Sequence, residues 1–185
     1  MRLSHIHARR TVAGGYEEPK YEVISTFPGF EVRRYSDSVQ ARVRTEGKSM
    51  RDSTGGFRRI AGYIFGRNDR EQIIAMTAPV HMWNDGEGEI MAFTMPSKYS
   101  IEDLPTPRDQ GVKLVNYFGR TLAALPFSGL SGPRRSGRMK TKLNRMVLVN
   151  GLSPSGPPML AVYDNPTSTL PFLRRNEILL PVEDG

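Results

Sequence analysis

The stretch VKLVNYFGRTLAALPFSG, residues 112–129, can be laid without a gap on an earlier stretch, FEVRRYSDSVQARVRTEG, residues 30–47. A tyrosine, an alanine and a glycine coincide in the two stretches, and valines of the first meet leucines of the second. Apolar and polar side chains alternate along parts of both, which is the period of a half-buried β-strand. We interpret the pair as an internal duplication, in which each copy contributes two strands.

A helical pattern follows each copy. In the first half, the apolar side chains recur at i, i+3, i+4, i+7 and i+8 and are Phe57, Ile60, Ala61, Ile64 and Phe65. This single stripe predicts a helix over 53–65, with Ser53 or Thr54 as its N-cap and Gly66 at its end. In the second half, a basic sequence with apolar residues at helical spacing predicts a helix over 133–150.

Two apolar runs follow each helix, and we predict a strand for each run. IIAMTAPVHMW (73–83) and IMAFTMPS (90–97) are joined by a polar, glycine-containing loop, which favours a hairpin. Pro79 cannot donate a hydrogen bond to a sheet, so a bend is expected there. In the second half, MLAVYDNP and NEILLPV mirror these runs, and Pro181 corresponds to Pro96.

These elements, with a further strand at KYEVIST, predict an α+β fold. We expect a distorted antiparallel β-barrel of about eight strands with two long helices. The two repeats, about 21–97 and 111–183, should be related by a pseudo-twofold axis. They should form a single domain over 19–185, preceded by a flexible N-terminal arm over 1–18. Helices laid on a sheet leave a groove between helix and strand ends, which is a common place for small ligands.

The composition excludes several classes of protein. The chain has 185 residues and no cysteine, which removes disulfides, thiolate metal sites and cysteine nucleophiles. No apolar run approaches the roughly 20 residues of a membrane-spanning helix, and the first residues lack the apolar core of a secretory signal. We therefore expect a soluble cytoplasmic protein.

The positive charge is unevenly distributed. The formal net charge is +7, and between Gln110 and Tyr163 there is no aspartate or glutamate. A field of one sign attracts nucleic acid, an acidic membrane or a ligand with carboxylates, although a solvated basic face without a partner explains the pattern equally well. The basic helix, 134–145, carries no aromatic residue that could stack on bases, so nucleic acid is not an expected partner.

The sequence contains no recognisable catalytic motif. Neither a serine nucleophile motif nor a glycine-rich phosphate loop occurs, so we expect a non-enzymatic protein. Of the three histidines, His5 and His7 lie on the arm and His81 follows the Pro79 bend. A side chain at the end of a strand is the simpler interpretation of His81, and a metal ligand is the alternative.

The chain resembles the SOUL haem-binding protein family from about Tyr21 to Val182. Five landmarks occur in the order of the family: YEV…FEVRRY, AGYIFGRN at the helix end, IAMTAPV directly after it, FTMPSKYSIEDLPTP at the midpoint, and YDNPTSTLPFLRRNEILLPV at the end. Each landmark alone is weak, but their order over most of the chain is specific.

The resemblance implies a fold and a ligand. Two repeats of the family form a distorted eight-stranded barrel with two long helices, and a groove beside the first helix binds haem or another tetrapyrrole reversibly and non-covalently. We therefore expect haem b or protoporphyrin, or a similar flat anionic molecule, as the ligand. The residues expected to form the site are Arg34, Phe57, Arg58, Ala61, Ile64, Phe65, Met76, Arg174 and Arg175.

The expected roles follow from the chemistry of these residues. The apolar helix face would take the ring, and arginines would take the propionates, since Arg binds carboxylates bidentately. Arg34 stands where some family members have an axial histidine, and arginine is a poor iron ligand. Iron is therefore expected to have no strong ligand from this protein. For Arg174 and Arg175, a structural ion pair is an equally good interpretation.

Two further functions stay open at this stage. Related duplicated folds include small-molecule effector-binding modules and hydrolases, so one of these is the alternative function. A hydrolase needs a buried carboxylate near aromatic rings. The strand positions that could supply it are Glu22, Glu31 and Glu177, and the sequence pairs none of them convincingly. The sequence leaves the oligomeric state open.

Overall fold

The computed structural model describes residues 15–45, 50–164 and 169–183. Most of the predicted N-terminal arm, with His5 and His7, lies outside the described residues. The elements are β1 (Tyr21–Phe27), β2 (Phe30–Tyr35), β3 (Ser38–Thr45), α1 (Met50–Ile64), β4 (Val80–Asn84), β5 (Glu89–Thr94), β6 (Val112–Tyr117), β7 (Thr121–Ser128), α2 (Pro133–Val149), β8 (Met159–Val162) and β9 (Arg175–Pro181).

The described strands form one nine-stranded half-barrel sheet in the order β1-β2-β7-β9-β8-β4-β5-β3-β6. Every neighbouring pair is antiparallel. The predicted α+β class, an antiparallel sheet with two long helices, is therefore confirmed. Apart from β1, the strand order has a twofold pattern. Exchanging β2 with β6, β3 with β7, β4 with β8 and β5 with β9 gives the same order, read from the opposite edge of the sheet. That the two halves superpose about a twofold axis stays a prediction.

The two helices lie close to their predicted positions, with one difference at the first. α1 begins at Met50, so Ser53 and Thr54 lie inside its first turns and the prediction that either is the N-cap is wrong. The residues at 50–53 are Met, Arg, Asp and Ser, and none of these residue types terminates a helix. The helix therefore begins before the first residue of the apolar stripe. Gly66 has a φ of 99°, the left-handed conformation that glycine adopts where a helix ends.

The run 73–83 is a strand only in its second part, so the prediction of a strand over the whole run is wrong. β4 begins at Val80, and the preceding residues make only isolated bridges, Phe65 with Ile73 and Glu17 with Thr77. The Thr77 hydroxyl donates to the Thr94 carbonyl. Pro79 has no backbone N–H, so a ladder bond cannot form at this position.

The helices pack on one face of the sheet, which we call the helix face; the other is the open face. α1 packs mainly on β3, β5 and β6, and α2 packs mainly on β7 and β9. A buried apolar cluster lies beneath each helix, centred on Ile60 and Ile64 under α1 and on Leu143 and Val147 under α2. The central strands β4 and β8 lie between the strands on which the two helices mainly pack.

Candidate functional site

The central strands β4 and β8 form the floor of an apolar strip between the two helices, which we call the valley. Val80 pairs with Val162 across these strands, and Met82 pairs with Leu160. Val80, Met82 and Val162 are half-buried, and Met82 packs against the clusters of both helices. Apolar side chains that remain half-exposed between two helices form a surface suited to a flat apolar ligand.

One flank of α1 forms the first wall of the valley. The ring of Phe57 is 40 % exposed and meets the β5 residue Phe93 edge-on, with centroids 5.5 Å apart. Ala61 and Phe65 follow at spacings of four, so they share this flank. On the opposite flank, Arg59 reaches Asp109, just before β6, with an Nε–Oδ2 distance of 2.7 Å. The Phe57 flank therefore faces β4.

A lysine on α2 marks the opposite wall. Lys140 is half-buried, and burial lowers the pKa of its ammonium group, while Glu89 at the start of β5 acts in the other direction. Lys142 and Met146 of α2 line a concavity together with Pro28 in the turn between β1 and β2. Lys140 precedes Lys142 by two residues and so lies on the opposite flank of α2, which faces the valley. The second wall thus carries a partly desolvated cation, for which an anion is a favourable partner.

Several of the predicted site residues lie on α1 or next to it. Phe57, Ala61 and Phe65 lie on the α1 flank, and Phe65 is 60 % exposed. The exposed Arg58 follows Phe57 on the same helix. The half-buried Met76 lies in the segment that leads from α1 to β4 and packs against the α1 cluster.

The other predicted site residues lie elsewhere. Ile64 is 1 % exposed and lies in the core beneath α1. Arg34 is on β2, which β7 and β9 separate from the valley floor. Arg174 donates from Nε to the Thr169 carbonyl, and Arg175 pairs with Glu18.

His81, the weak metal-ligand candidate, lies on the open face because it alternates with the valley residues Val80 and Met82. Its side chain is 6 % exposed, and its Nδ1 has no hydrogen-bond partner within the described part of the chain. Burial lowers the pKa of His81 to about 4, with Glu177 and Arg42 as smaller influences of opposite sign. The imidazole is therefore neutral at pH 7, and the sheet separates it from the valley.

A buried charged network, which sequence reasoning missed, occupies the open face near β1. The two carboxylate oxygens of Glu177 accept from Arg33 at 2.9 and 3.1 Å, and Oε2 also accepts from the Tyr163 hydroxyl at 2.6 Å. Burial opposes the Arg33 charge, but Glu177 outweighs it and raises the Arg33 pKa. Burial also raises the pKa of Tyr35, whose hydroxyl accepts from Arg33 at 3.3 Å.

One sequence signal could have located this network. In RNEILLPV, Glu177 alternates with Ile178 and Leu180 of the core, so it faces the side of the sheet opposite the helices. A carboxylate within an apolar strand needs a charged or hydrogen-bonded partner. The sequence does not indicate that Arg33, 144 residues away, is that partner.

Two further properties bear on the function. Among the described residues, no cluster of three or more histidine, aspartate or glutamate side chains is arranged to hold a metal ion. Within the same residues, no helix has both the length and the apolar character needed to cross a membrane.

Comparison with known proteins identifies a family and a fold. The family described as SOUL heme-binding protein matches residues 16–181. No curated protein sequence matches the chain significantly. A hydrolase from Listeria innocua is 12 % identical, with a TM-score of 0.56, and the match covers 86 % of this chain and 94 % of the hydrolase. The EcmrR C-terminal domain is also 12 % identical, with a TM-score of 0.63 and coverage of 84 % and 98 %. At this identity the two structures show a shared fold only.

Proposed function

The chain belongs to the SOUL haem-binding protein family, and from this premise we propose that it binds a tetrapyrrole, haem b or protoporphyrin, non-covalently in the valley. The observation that carries the proposal is the half-buried apolar floor of β4 and β8, with Val80, Met82 and Val162, which lies between the strands on which the two helices mainly pack. Burying this surface under a planar ring stabilises a complex by about 25 cal/mol per Å² of apolar area removed from water.

The walls of the valley suit the other parts of a tetrapyrrole. Phe57 and Phe65 offer apolar ring surface, and the methionine thioether of Met82 is soft enough to adapt to a flat macrocycle. We assign the two propionates to Arg58 on α1 and Lys140 on α2, since both cations bind carboxylates. When bound, haem would supply its iron chemistry, and the residues of the valley would hold and orient the ring.

The proposal predicts that Ala61→Glu weakens porphyrin binding roughly tenfold or more, because it places a carboxylate against an apolar ring. The measurement is a titration of purified protein with haemin and with protoporphyrin, followed at the Soret band. Thr141→Glu adds the same charge on the exposed side of α2 and should leave binding unchanged. If Ala61→Glu binds like the wild type while remaining folded, the site is not in the valley.

A second prediction concerns the iron. Protoporphyrin without iron should bind nearly as well as haemin, and His81→Ala should leave the haemin spectrum almost unchanged. The reason is that His81 is buried on the opposite face of the sheet, so binding in the valley depends on ring burial and propionate pairing. A large loss of the Soret shift in this variant, with protoporphyrin binding intact, would identify His81 as an axial ligand and contradict the prediction.

The alternative, an effector-binding module or hydrolase, requires a carboxylate that is free to act. Glu177 is buried among aromatic rings, as such a site needs, but Arg33 and Tyr163 occupy its oxygens. A cationic effector would have to compete with the Arg33 guanidinium, and the same guanidinium makes the paired carboxylate a weaker base for activating a water molecule. This arrangement favours the non-enzymatic proposal.

A further inference from the structure

The open face contains a second concavity, which we call the groove, with a volume of about 690 Å³. Two aromatic rings, Trp83 and Tyr117, line it together with one carboxylate, Asp85. Its cationic lining consists of Arg42, Arg44, Arg59, Lys113 and Arg120. The groove therefore has an aromatic surface and a strong excess of positive charge.

The register of the sheet brings these side chains together. Arg42 pairs with Lys113 on one side and with Ala92 on the other, and Ala92 pairs with His81. Trp83 lies two residues after His81 and therefore on the same face. Ile90, which pairs with Arg44 on one side and with Trp83 on the other, also lines the groove.

Arg42 lies between the two aromatic rings. Its guanidinium carbon is 5.2 Å from the centroid of Trp83 and 5.8 Å from that of Tyr117. Its Nε donates to Oε1 of Gln40 at 3.0 Å. Burial lowers the Arg42 pKa, and the nearby positive charge of Arg120 acts in the same direction, while Tyr117 opposes both.

The cations of the groove differ in whether a carboxylate neutralises them. Arg44 is paired with Asp85 at 2.6 Å, and Arg59 is paired with Asp109 at 2.6 Å. By contrast, no carboxylate of the described residues lies within ion-pair distance of Arg42, Lys113 or Arg120. A partly buried cation without a counter-ion is costly, and an anionic ligand would offset that cost.

We propose that the groove binds a planar aromatic molecule that carries a phosphate group, such as a mononucleotide or a flavin phosphate. The aromatic ring stacks on Trp83 and Tyr117, and the phosphate lies on Arg42, Lys113 and Arg120, where three cations meet a dianion. This site goes beyond the proposed tetrapyrrole site, because the sheet separates the groove from the valley.

Trp83 is the only tryptophan of the chain, so its fluorescence reports directly on the groove. We would titrate the protein with flavin mononucleotide and, as a matched probe without the phosphate, with riboflavin. Free tryptophan amide corrects for absorption by the flavins. We expect flavin mononucleotide to quench Trp83 and to bind roughly tenfold more tightly than riboflavin, since only the former has the phosphate.

Single substitutions of the cations that line the groove test where the phosphate binds. Lys113→Gln and Arg120→Gln should each lower the affinity for flavin mononucleotide roughly tenfold and leave that for riboflavin unchanged. Arg120 is exposed, so its substitution does not endanger the fold. Arg108→Gln is the matched control, because Arg108 is exposed, pairs with Glu71 and does not line the groove.

The outcomes separate this site from the valley. Ala61→Glu should keep flavin mononucleotide binding, and Arg120→Gln should keep protoporphyrin binding, so either function can fail without the other. Equal affinity for the two flavins, no quenching by either, or unchanged flavin mononucleotide affinity in both Lys113→Gln and Arg120→Gln would each overturn the proposal.

Discussion

Replacing Arg33 with methionine should lower the free energy of unfolding by about 3–5 kcal/mol, the largest effect that we expect from a single substitution in this chain. The substitution removes both guanidinium bonds to Glu177 and leaves a carboxylate with a side-chain exposure of 8 % beside the Tyr163 hydroxyl only. A buried charge without its counter-charge costs far more than the net contribution of the intact pair. Urea denaturation at pH 7 measures the change.

Two further variants test the cause of that loss. Arg34→Met, at the exposed neighbouring position on the same strand, should cost less than about 1 kcal/mol. The double variant Arg33→Met/Glu177→Gln should recover a large part of the stability, because glutamine keeps the shape of the side chain and removes the uncompensated charge. If the double variant is less stable than Arg33→Met alone, the unpaired charge is not the cause.

The second large effect concerns His81 and pH. Its pKa is about 4 in the folded protein and 6.5 as the ordinary value. Below pH 6.5 the unfolded chain therefore binds a proton that the folded protein excludes until about pH 4. The contribution of His81 to stability is complete above pH 6.5 and is lost as the pH falls to about 4, and the total loss is about 3 kcal/mol.

The measurement compares the wild type with His81→Gln by urea denaturation at several pH values between 7 and 4. The carboxyl groups titrate in both proteins and cancel in the difference. We expect the wild type to lose about 3 kcal/mol relative to the variant over this range, because only the wild type has a buried imidazole that must become charged. A difference that stays constant with pH would mean that His81 is exposed to water.

The sequence alone predicted the local elements of this protein well. The apolar stripe from Phe57 to Phe65 and the glycine at 66 predicted α1 to within a few residues, because helical periodicity and a left-handed glycine are properties of a short segment. The match of 112–129 with 30–47 predicted two strands in each half, and the structure has β2 and β3 in one and β6 and β7 in the other.

The landmarks of the family predicted the class of the fold, which the structure confirms, whereas a ligand wall on α1 stays a prediction. Phe57, Ala61 and Phe65 do lie on one flank of α1. The second wall was not predicted, since Lys140 is far from these residues along the chain and belongs to a helix that looked simply basic. The prediction of a strand over 73–83 was wrong for residues 73–79, which make only isolated bridges. The reason is that a short apolar run does not show whether another strand lies beside it to pair with.

Only the tertiary structure decided which surfaces stay open and which charges meet. The valley exists because the sheet order places β4 and β8 side by side between the strands that carry α1 and α2. The pairing of Arg33 with Glu177 and the position of Arg42 between Trp83 and Tyr117 depend on strands brought together by that same order. Periodicity is a local property that assigns each residue to a face of its strand. The order of the strands results from burying both apolar stripes at once, which depends on contacts between distant parts of the chain.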